Sequence, residues 1–470
     1  MADLSVDFCG IKSPNPFWLA SAPPTNTGAQ IMRAFDAGWG GAVWKTLGNP
    51  IVNVSSRFGG IDYGSTRMMG LNNIELITDR PLDVNLREIT EVKKRYPKHV
   101  VIASLMVETK DEWREIIQKA EDAGADGLEL NFGCPHGMCE RGMGSAVGNE
   151  PKVLEEIARW AVSFAKTPVI IKLTPNVSDI VEPGEAVLRS GAHAISLINT
   201  IKSIMGVDLE RMIPLPRVGK YSTNGGYCGP AVKPIALHLL SQLTRHPTIK
   251  ALPMSGIGGI GTWRDAAEFI ALGATTVQVC TAVMHYGYRI VEDMIEGLSD
   301  FLDDRGMKSV NELRGLAIGQ YQEWGDLDLS FRVVADVNEE KCIGCQLCYV
   351  ACMDGAHQCI HLPGRTEAEA RKAGHLHLPA HVPERAVKAV ALANAGQLGP
   401  RAVPGTRIPF VDEDECIGCN LCSLVCPVAG CITMKELDSG KPVETWNDRI
   451  QKGTNLVPGG LDATERARRF

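Results

Sequence analysis

Residues 342–352 read Cys-Ile-Gly-Cys-Gln-Leu-Cys-Tyr-Val-Ala-Cys, and residues 416–427 read Cys-Ile-Gly-Cys-Asn-Leu-Cys-Ser-Leu-Val-Cys-Pro. Each is a C-x2-C-x2-C-x3-C run, the second closed by proline, and this spacing holds [4Fe–4S] cubes in pairs. Three thiolates of a run grip one cube and the fourth crosses to the other. The expected ligand sets are Cys342, Cys345, Cys348 and Cys426 for one cluster, and Cys416, Cys419, Cys422 and Cys352 for the second. Zinc needs only four ligands, and disulfides do not need this register. The chain is therefore expected to move single electrons.

With 470 residues, 44% of them apolar, the chain is long enough for two or more domains and a large core. A net charge of −7 offers no reason to expect nucleic-acid binding. The acidic start, Met-Ala-Asp-Leu-Ser-Val-Asp, lacks the apolar run of a signal peptide, and no apolar stretch is long enough for a membrane span. Of fifteen cysteines, eight sit in the two runs, and metal-bound thiolates suit a reducing interior. A cytoplasmic location is expected.

Upstream of the cysteines, short β-branched runs alternate with amphipathic stretches. The candidate strands are Phe17–Ala20, Gly41–Lys45, Val100–Leu105, Gly127–Asn131, Val169–Leu173, Ala194–Asn199, Lys250–Ser255 and Thr275–Cys280. Helical patterns such as Asp111–Ala123 and Lys152–Phe164 lie between them. Gly38, Gly124, Gly191 and Gly273 stand where a helix C-terminus needs glycine. Repeated β-then-α units predict a parallel sheet, and eight of them predict a (β/α)8 TIM barrel over 1–300, with a doubly wound open sheet as the alternative. A helical connector is expected over 301–332, an α+β two-cluster module over 333–436 with an insertion at 353–415, and a polar tail over 437–470. Within the insertion, Glu367–Lys372 and Glu384–Ala393 read as short helices. His375, His377 and His381 read as part of a solvated segment, because no Cys or carboxylate set accompanies them.

Reactive groups of such a barrel gather where its strands end. Lys45 and Thr46 follow the second strand, Asn131 and Cys134 the fourth, and Asn199 and Thr200 the sixth. Lys172, inside Val-Ile-Ile-Lys-Leu, is a cation in an apolar strand and needs an anion or a cofactor. The segment Ser255-Gly256-Ile257-Gly258-Gly259-Ile260-Gly261 follows the seventh strand, where backbone N–H groups bind phosphate. With no acidic residue about twenty positions later, it is assigned to the phosphate of FMN rather than to NAD. The chain has no other such glycine motif, so nicotinamide hydride is expected to enter through a different polypeptide. The glycine-rich loop 131–144 holds Cys134, read as a thiol acid for a carbon centre. Arg141 or a charged His136 would instead favour the thiolate. Cys9, Cys139, Cys228, Cys359 and Cys431 are read as structural.

Taken together, Asn15-Pro16-Phe17, Lys45-Thr46, Asn73-Ile74-Glu75-Leu76-Ile77, Asn131-x2-Cys134-Pro135-His136-Gly137, Lys172-Leu173-Thr174-Pro175-Asn176, Asn199-Thr200 and the two cysteine runs resemble the dihydropyrimidine dehydrogenases. The likeness is to the separate FMN- and iron–sulfur-containing subunit of the bacterial NAD-dependent enzymes. The barrel portion by itself resembles the dihydroorotate dehydrogenases, and the cysteine module resembles a two-cluster ferredoxin domain.

The resemblance implies reversible reduction of the C5–C6 bond of uracil or thymine. Electrons would come from NAD(P)H through FAD on a partner flavoprotein, the two clusters and FMN. Cys134 would be the general acid at C5. Asn73, Glu75, Asn131, Asn199 and Thr200 would bind the pyrimidine. Ser21, Lys45, Thr46, Lys172, Gly229, Ser255, Gly256, Cys280 and Thr281 would hold FMN, with Lys172 stabilising the reduced flavin. Three features depart from the family pattern: Gly133 where serine is commoner, Cys139 in place of a loop glycine, and the 353–415 insertion. Alternatives are a dihydroorotate- or other cyclic-amide-specific oxidoreductase, and a non-enzymatic electron relay.

Overall fold

Eight apolar runs pair as parallel strands in the computed structural model, which describes residues 1–49, 53–63, 66–362 and 408–453. They are β1 (Phe17–Leu19), β2 (Gly41–Leu47), β3 (Val100–Leu105), β4 (Gly127–Asn131), β5 (Val169–Lys172), β6 (Ala194–Leu197), β7 (Met254–Ile257) and β8 (Thr276–Val279). Each pairs with its successor, and β8 pairs with β1, so the sheet closes into a barrel and leaves no edge. The helices between strands end as their sequences require. Gly38, Gly124, Gly191 and Gly273 adopt φ of +117°, +95°, +80° and +104°, a region that side chains with a Cβ avoid. A capping box between Thr109 and Glu112 starts the helix Lys110–Asp122, and one between Thr262 and Asp265 starts Trp263–Ala271.

The seventh strand departs from expectation. It begins at Met254 rather than Lys250, because Ile249–Ala251 forms a 3-10 turn and Pro253 offers no N–H to a ladder. It also runs on to Ile257, which takes Gly256 into the strand beside Ser255.

Strand alternation divides the barrel interior into two halves. Trp18, Val43, Ile102, Ile170 and Ala194 fill one end, where the hairpin of Val6–Phe8 and Ile11–Ser13 plugs it with Phe8 and Ile11. Two residues further along the same faces come Lys45 on β2, Ser104 on β3, Lys172 on β5 and Ser196 on β6. Glu129, Ser255 and Gln278 complete this polar half from β4, β7 and β8, and all three are buried.

A second sheet lies outside the barrel ladder. Its strands run in the order Ile201–Ser203, Gly225–Cys228, Thr66–Asn73, Phe58–Tyr63, all antiparallel neighbours. Gly226 is required here: a Cβ would fall 2.0 Å from Thr200 Oγ1. The chain divides into two compact units, the first running to Tyr321. Residues 301–321, expected within a connector, belong to the barrel unit, with Val310 and Leu313 in its core.

In the second unit, Arg332–Val337 pairs antiparallel with Ile432–Leu437, and Ile360–His361 pairs with Phe410–Val411. The two cysteine runs are built alike. Cys342 N donates to Asn338 O at 3.0 Å, and Cys416 N to Asp412 O at 3.0 Å. Asn338 N donates to Cys431 O, and Asp412 N to Cys359 O, both at 2.8 Å. Gln346 and Asn420 share a φ of +65° at the entry to the helices Leu347–Gly355 and Leu421–Val425. The polar tail folds within this unit as far as it is described: Trp446–Gln451 is a helix, and Trp446 stacks edge-on against Trp324 at 5.7 Å. The expected helices Glu367–Lys372 and Glu384–Ala393, and His375, His377 and His381, lie outside the described residues. Among the described residues no helix is long and apolar enough to cross a membrane.

Gly256 tests the packing between strand and helix. A Cβ there would lie 2.4 Å from the Phe269 ring, so Gly256→Ala should destabilise the barrel by about 1–3 kcal/mol. Urea unfolding of that unit measures it, and an unchanged midpoint would refute the tight fit.

Candidate active site

The polar half of the barrel opens into a cavity of about 1480 Å³, part of it in contact with solvent. At its base, Lys172 Nζ stands 3.4 Å from Glu129 Oε1. Glu129 Oε2 accepts hydrogen bonds from Ser196 Oγ at 2.8 Å and Gln278 Nε2 at 3.0 Å. Glu129 is fully buried, so its oxygens must find their partners within the barrel. Sequence reasoning singled out Lys172 and passed over Glu129, although the same signal marks both: a charge alternating with apolar residues, here in Gly-Leu-Glu-Leu-Asn. Gln278 was also missed. It lines the cavity, and its Oε1 has no hydrogen-bond partner among the described residues. A buried acceptor left that way is costly and calls for a donor from an occupant.

One wall is a chain of hydroxyls and amides. Ser104 Oγ and Thr46 Oγ1 are 2.9 Å apart, Asn131 Nδ2 donates to Thr46 Oγ1 at 3.0 Å, and Asn199 Nδ2 donates to Asn131 Oδ1 at 3.0 Å. The Thr200 backbone N–H then donates to Asn199 Oδ1 at 2.8 Å. Ser21 Oγ joins at Thr46, 3.2 Å away. Gly133 has a local reason in this wall: a Cβ would lie 2.4 Å from Asn199 Cβ, so a serine would displace that amide. The opposite carboxylate, Glu75, is clamped by Lys45 at 2.7 Å and Arg57 at 2.9 Å. Asn73 Nδ2 donates to Gly226 O at 3.2 Å.

Cys134 is buried against Ile77, Met106, Met138 and Met143, and its Sγ lies 3.5 Å from the His136 carbonyl oxygen. Both cations that would favour its thiolate are otherwise engaged. Arg141 pairs with Glu108. Burial lowers the His136 pKa below its usual value of 6.5, so the ring is neutral near pH 7, and its Nε2–H donates to Glu75 O at 3.2 Å. The Cys134 sulfur thus sits in an apolar wall.

Every proposed substrate residue lines this cavity: Asn73, Glu75, Asn131, Cys134, Asn199 and Thr200. So do Ser21, Lys45, Thr46, Lys172, Gly229, Cys280 and Thr281 of the cofactor set. Ser255 and Gly256 do not. Ser255 Oγ accepts from Thr276 Oγ1 at 2.8 Å inside the barrel, and Gly256 faces Phe269. Their places are taken by Gly258, Gly259 and Gly261. Gly258 and Gly259 have φ of +127° and +74°, and a Cβ at Gly259 would fall 2.7 Å from Lys233 Cβ. Cys228, read as merely structural, also lines the cavity, accepts from Thr281 Oγ1 at 3.3 Å, and has its thiol pushed up to about 11 by burial.

In the second unit, the eight run cysteines fall into two groups that line two separate cavities. Cys352, Cys416, Cys419 and Cys422 line one, and Cys342, Cys345, Cys348 and Cys426 line the other. Four thiolate donors converging on each fit a cubane cluster. Cys359 and Cys431, also read as structural, stand in the walls of these same cavities.

The buried pair makes a direct test. Glu129→Ala leaves Lys172 without its anion and should cost the flavin-free barrel about 3–5 kcal/mol in urea unfolding; a loss within error would deny the pair its structural role. His136 adds a pH dependence. Below 6.5 the unfolded chain binds a proton that the buried ring refuses, so stability is full above 6.5 and falls as pH drops through the lowered folded pKa. Melting temperatures followed down to about pH 5 should decline less steeply for His136→Gln, and identical slopes would contradict the assignment.

The sequence matches the dihydroorotate dehydrogenase family over residues 3–302 and a 4Fe-4S dicluster domain over residues 341–431. It is 46% identical over 365 residues to the NAD-dependent dihydropyrimidine dehydrogenase subunit PreA of Escherichia coli (strain K12), covering 77% of this chain and 89% of that protein. It is 43% identical over 337 residues to the chloroplastic dihydropyrimidine dehydrogenase (NADP(+)) of Arabidopsis thaliana, covering 69% and 79%. The catalytic subunit of dihydroorotate dehydrogenase B (NAD(+)) of Pyrococcus abyssi is 37% identical over 323 residues, covering 67% of this chain and 99% of that protein. Iron–sulfur and flavin cofactors go with these matches. The chain belongs to the dihydroorotate dehydrogenase family, carries a 4Fe-4S dicluster domain after the barrel, and groups with the dihydropyrimidine dehydrogenase subunits.

Proposed function

We propose that this chain is the catalytic subunit of an NAD-dependent dihydropyrimidine dehydrogenase, reversibly reducing the C5–C6 double bond of uracil or thymine. One observation carries the reading: a buried thiol, three Asn amides and a clamped carboxylate face one cavity whose base holds a lysine. The 46% identity to a protein of that name supports it.

The flavin is FMN, and the residues that would hold it are Lys172 and Gln278 at the base, Ser21, Lys45 and Thr46 on the wall, and Gly229, Gly258, Gly259, Gly261, Cys280 and Thr281 around the phosphate. The unpartnered Gln278 Oε1 and the open glycine backbone fit such a group. When bound, it supplies the hydride that C6 receives. Asn73, Asn131 and Asn199 offer both amide donors and acceptors, the pattern that a ring with two carbonyls and two N–H groups requires. Glu75, held by Lys45 and Arg57, accepts from a ring N–H. Thr200 closes the set. Cys134 gives its S–H proton to C5 as the C5=C6 π pair is consumed, and the resulting thiolate regains a proton from solvent. The methionines and Ile77 around the sulfur exclude water from that transfer.

Cys342, Cys345, Cys348 and Cys426 would hold one cluster and Cys416, Cys419, Cys422 and Cys352 the other, and together they would supply a one-electron route from NAD(P)H and FAD on a partner flavoprotein. The purified, anaerobically reduced protein should regain its oxidised-flavin absorbance on addition of uracil or thymine. Reoxidation by orotate but by neither pyrimidine would overturn the substrate assignment. Cys134→Ala should slow reoxidation by uracil about 100- to 10,000-fold while leaving the cluster spectra intact; a rate near that of the parent protein would remove Cys134 as the acid.

A further inference from the structure

Each cluster cavity is lined by five cysteines, one more than a cube can use. Cys359 stands with Cys352, Cys416, Cys419 and Cys422, and Cys431 stands with Cys342, Cys345, Cys348 and Cys426. The two extra residues occupy matching places. Each precedes an isoleucine that enters a strand, Ile360 or Ile432, and each lends its carbonyl to the residue four before the first cysteine of a run, Asp412 or Asn338. Both are buried, at 4% and 3% exposure. Cys359 Sγ lies 3.6 Å from Cys352 Sγ, and its backbone N–H donates to that sulfur at 3.3 Å. Cys431 shares its cavity with Cys342 and Cys426, and its Sγ lies 3.7 Å from the Asn338 carbonyl oxygen. A sulfur–sulfur separation of 3.6 Å is far beyond a disulfide bond of about 2.05 Å.

We propose that Cys359 and Cys431 each donate an S–H hydrogen bond to the sulfurs of the cluster beside them and so raise that cluster's reduction potential. A [4Fe–4S] cube takes four thiolates, so the fifth sulfur has no iron to bind and remains a thiol, a weak donor in an apolar wall. Hydrogen bonds to cluster sulfurs are among the features that set these potentials. A donor there favours the reduced, more negative state. The recurrence of the same fifth thiol in both halves makes it a property of the paired site. The inference rests on the two-cluster ligand assignment above and is independent of the pyrimidine chemistry.

The test uses the full-length holoprotein, with iron analysis and an EPR-monitored reductive titration. Cys359→Ala should keep its iron and lower only the potential of the cluster held by Cys352, Cys416, Cys419 and Cys422. Cys431→Ala should do the same to the other. At fixed potential the reduced-to-oxidised ratio of the affected cluster should fall about threefold to tenfold, a tenfold change being about 59 mV for one electron. Cys359→Ser and Cys431→Ser, which keep a donor, should restore the parent potential. Unchanged potentials in the Ala variants would overturn the proposal, as would loss of iron, which would make the thiol a ligand. If an Ala variant fails to fold, a lowered potential in the Ser variant overturns it. Uracil turnover in the same samples reports separately on the substrate assignment.

Discussion

Charges held out of water must be paired, and that constraint organises the barrel unit. Lys45, Glu75, Glu129 and Lys172 are all close to fully buried at one end of the strands. Each faces an opposite charge, and Arg57 adds a further cation at Glu75. Arg57 in turn also reaches Asp79, at 3.8 Å. The arrangement depends on closure of the barrel. Only a ring of parallel strands with alternating side chains turns Glu129, Lys172, Ser196 and Gln278 toward one another from four separate strands.

The same alternation keeps the two ends of the barrel chemically distinct. Trp18, Val43, Ile102 and Ile170 make a dry plug beneath the site, closed by Phe8 and Ile11 from the first hairpin. A lysine and a glutamate placed two residues further along are thus backed by rigid apolar packing. That rigidity is what a site relying on fixed donors needs. The loop carrying Cys134 answers a different requirement. There burial keeps His136 neutral and Glu108 engages Arg141, so neither cation is turned to the Cys134 sulfur.

The dicluster unit follows another economy. Its two halves repeat the same backbone bonds, the same left-handed turn at Gln346 and Asn420, and the same fifth cysteine. Within each half, the fourth cysteine of one run lies beside the first three of the other. The pairing of Cys352 with Cys416, and of Cys426 with Cys342, follows from that crossing.

Much of this was legible in the residue order. The cysteine spacing predicts the two groups of four cysteines that line separate cavities. Glycines at 38, 124, 191 and 273 mark helix ends because left-handed backbone is costly for other residues. Lys172 announces a site because a cation in an apolar strand needs a partner. The identity of that partner was not legible. Glu129 lies on a different strand, and only barrel closure brings them within 3.4 Å. The extent of β7 was not legible either: the strand runs on to Ile257, which keeps Ser255 and Gly256 within it and leaves the cavity wall to Gly258, Gly259 and Gly261. The order of residues by itself determined the elements, the glycine stops and the groups with unusual needs, because those are local properties of the chain. Which groups satisfy one another was decided by tertiary structure, since the contacts that do so join residues tens to hundreds of positions apart.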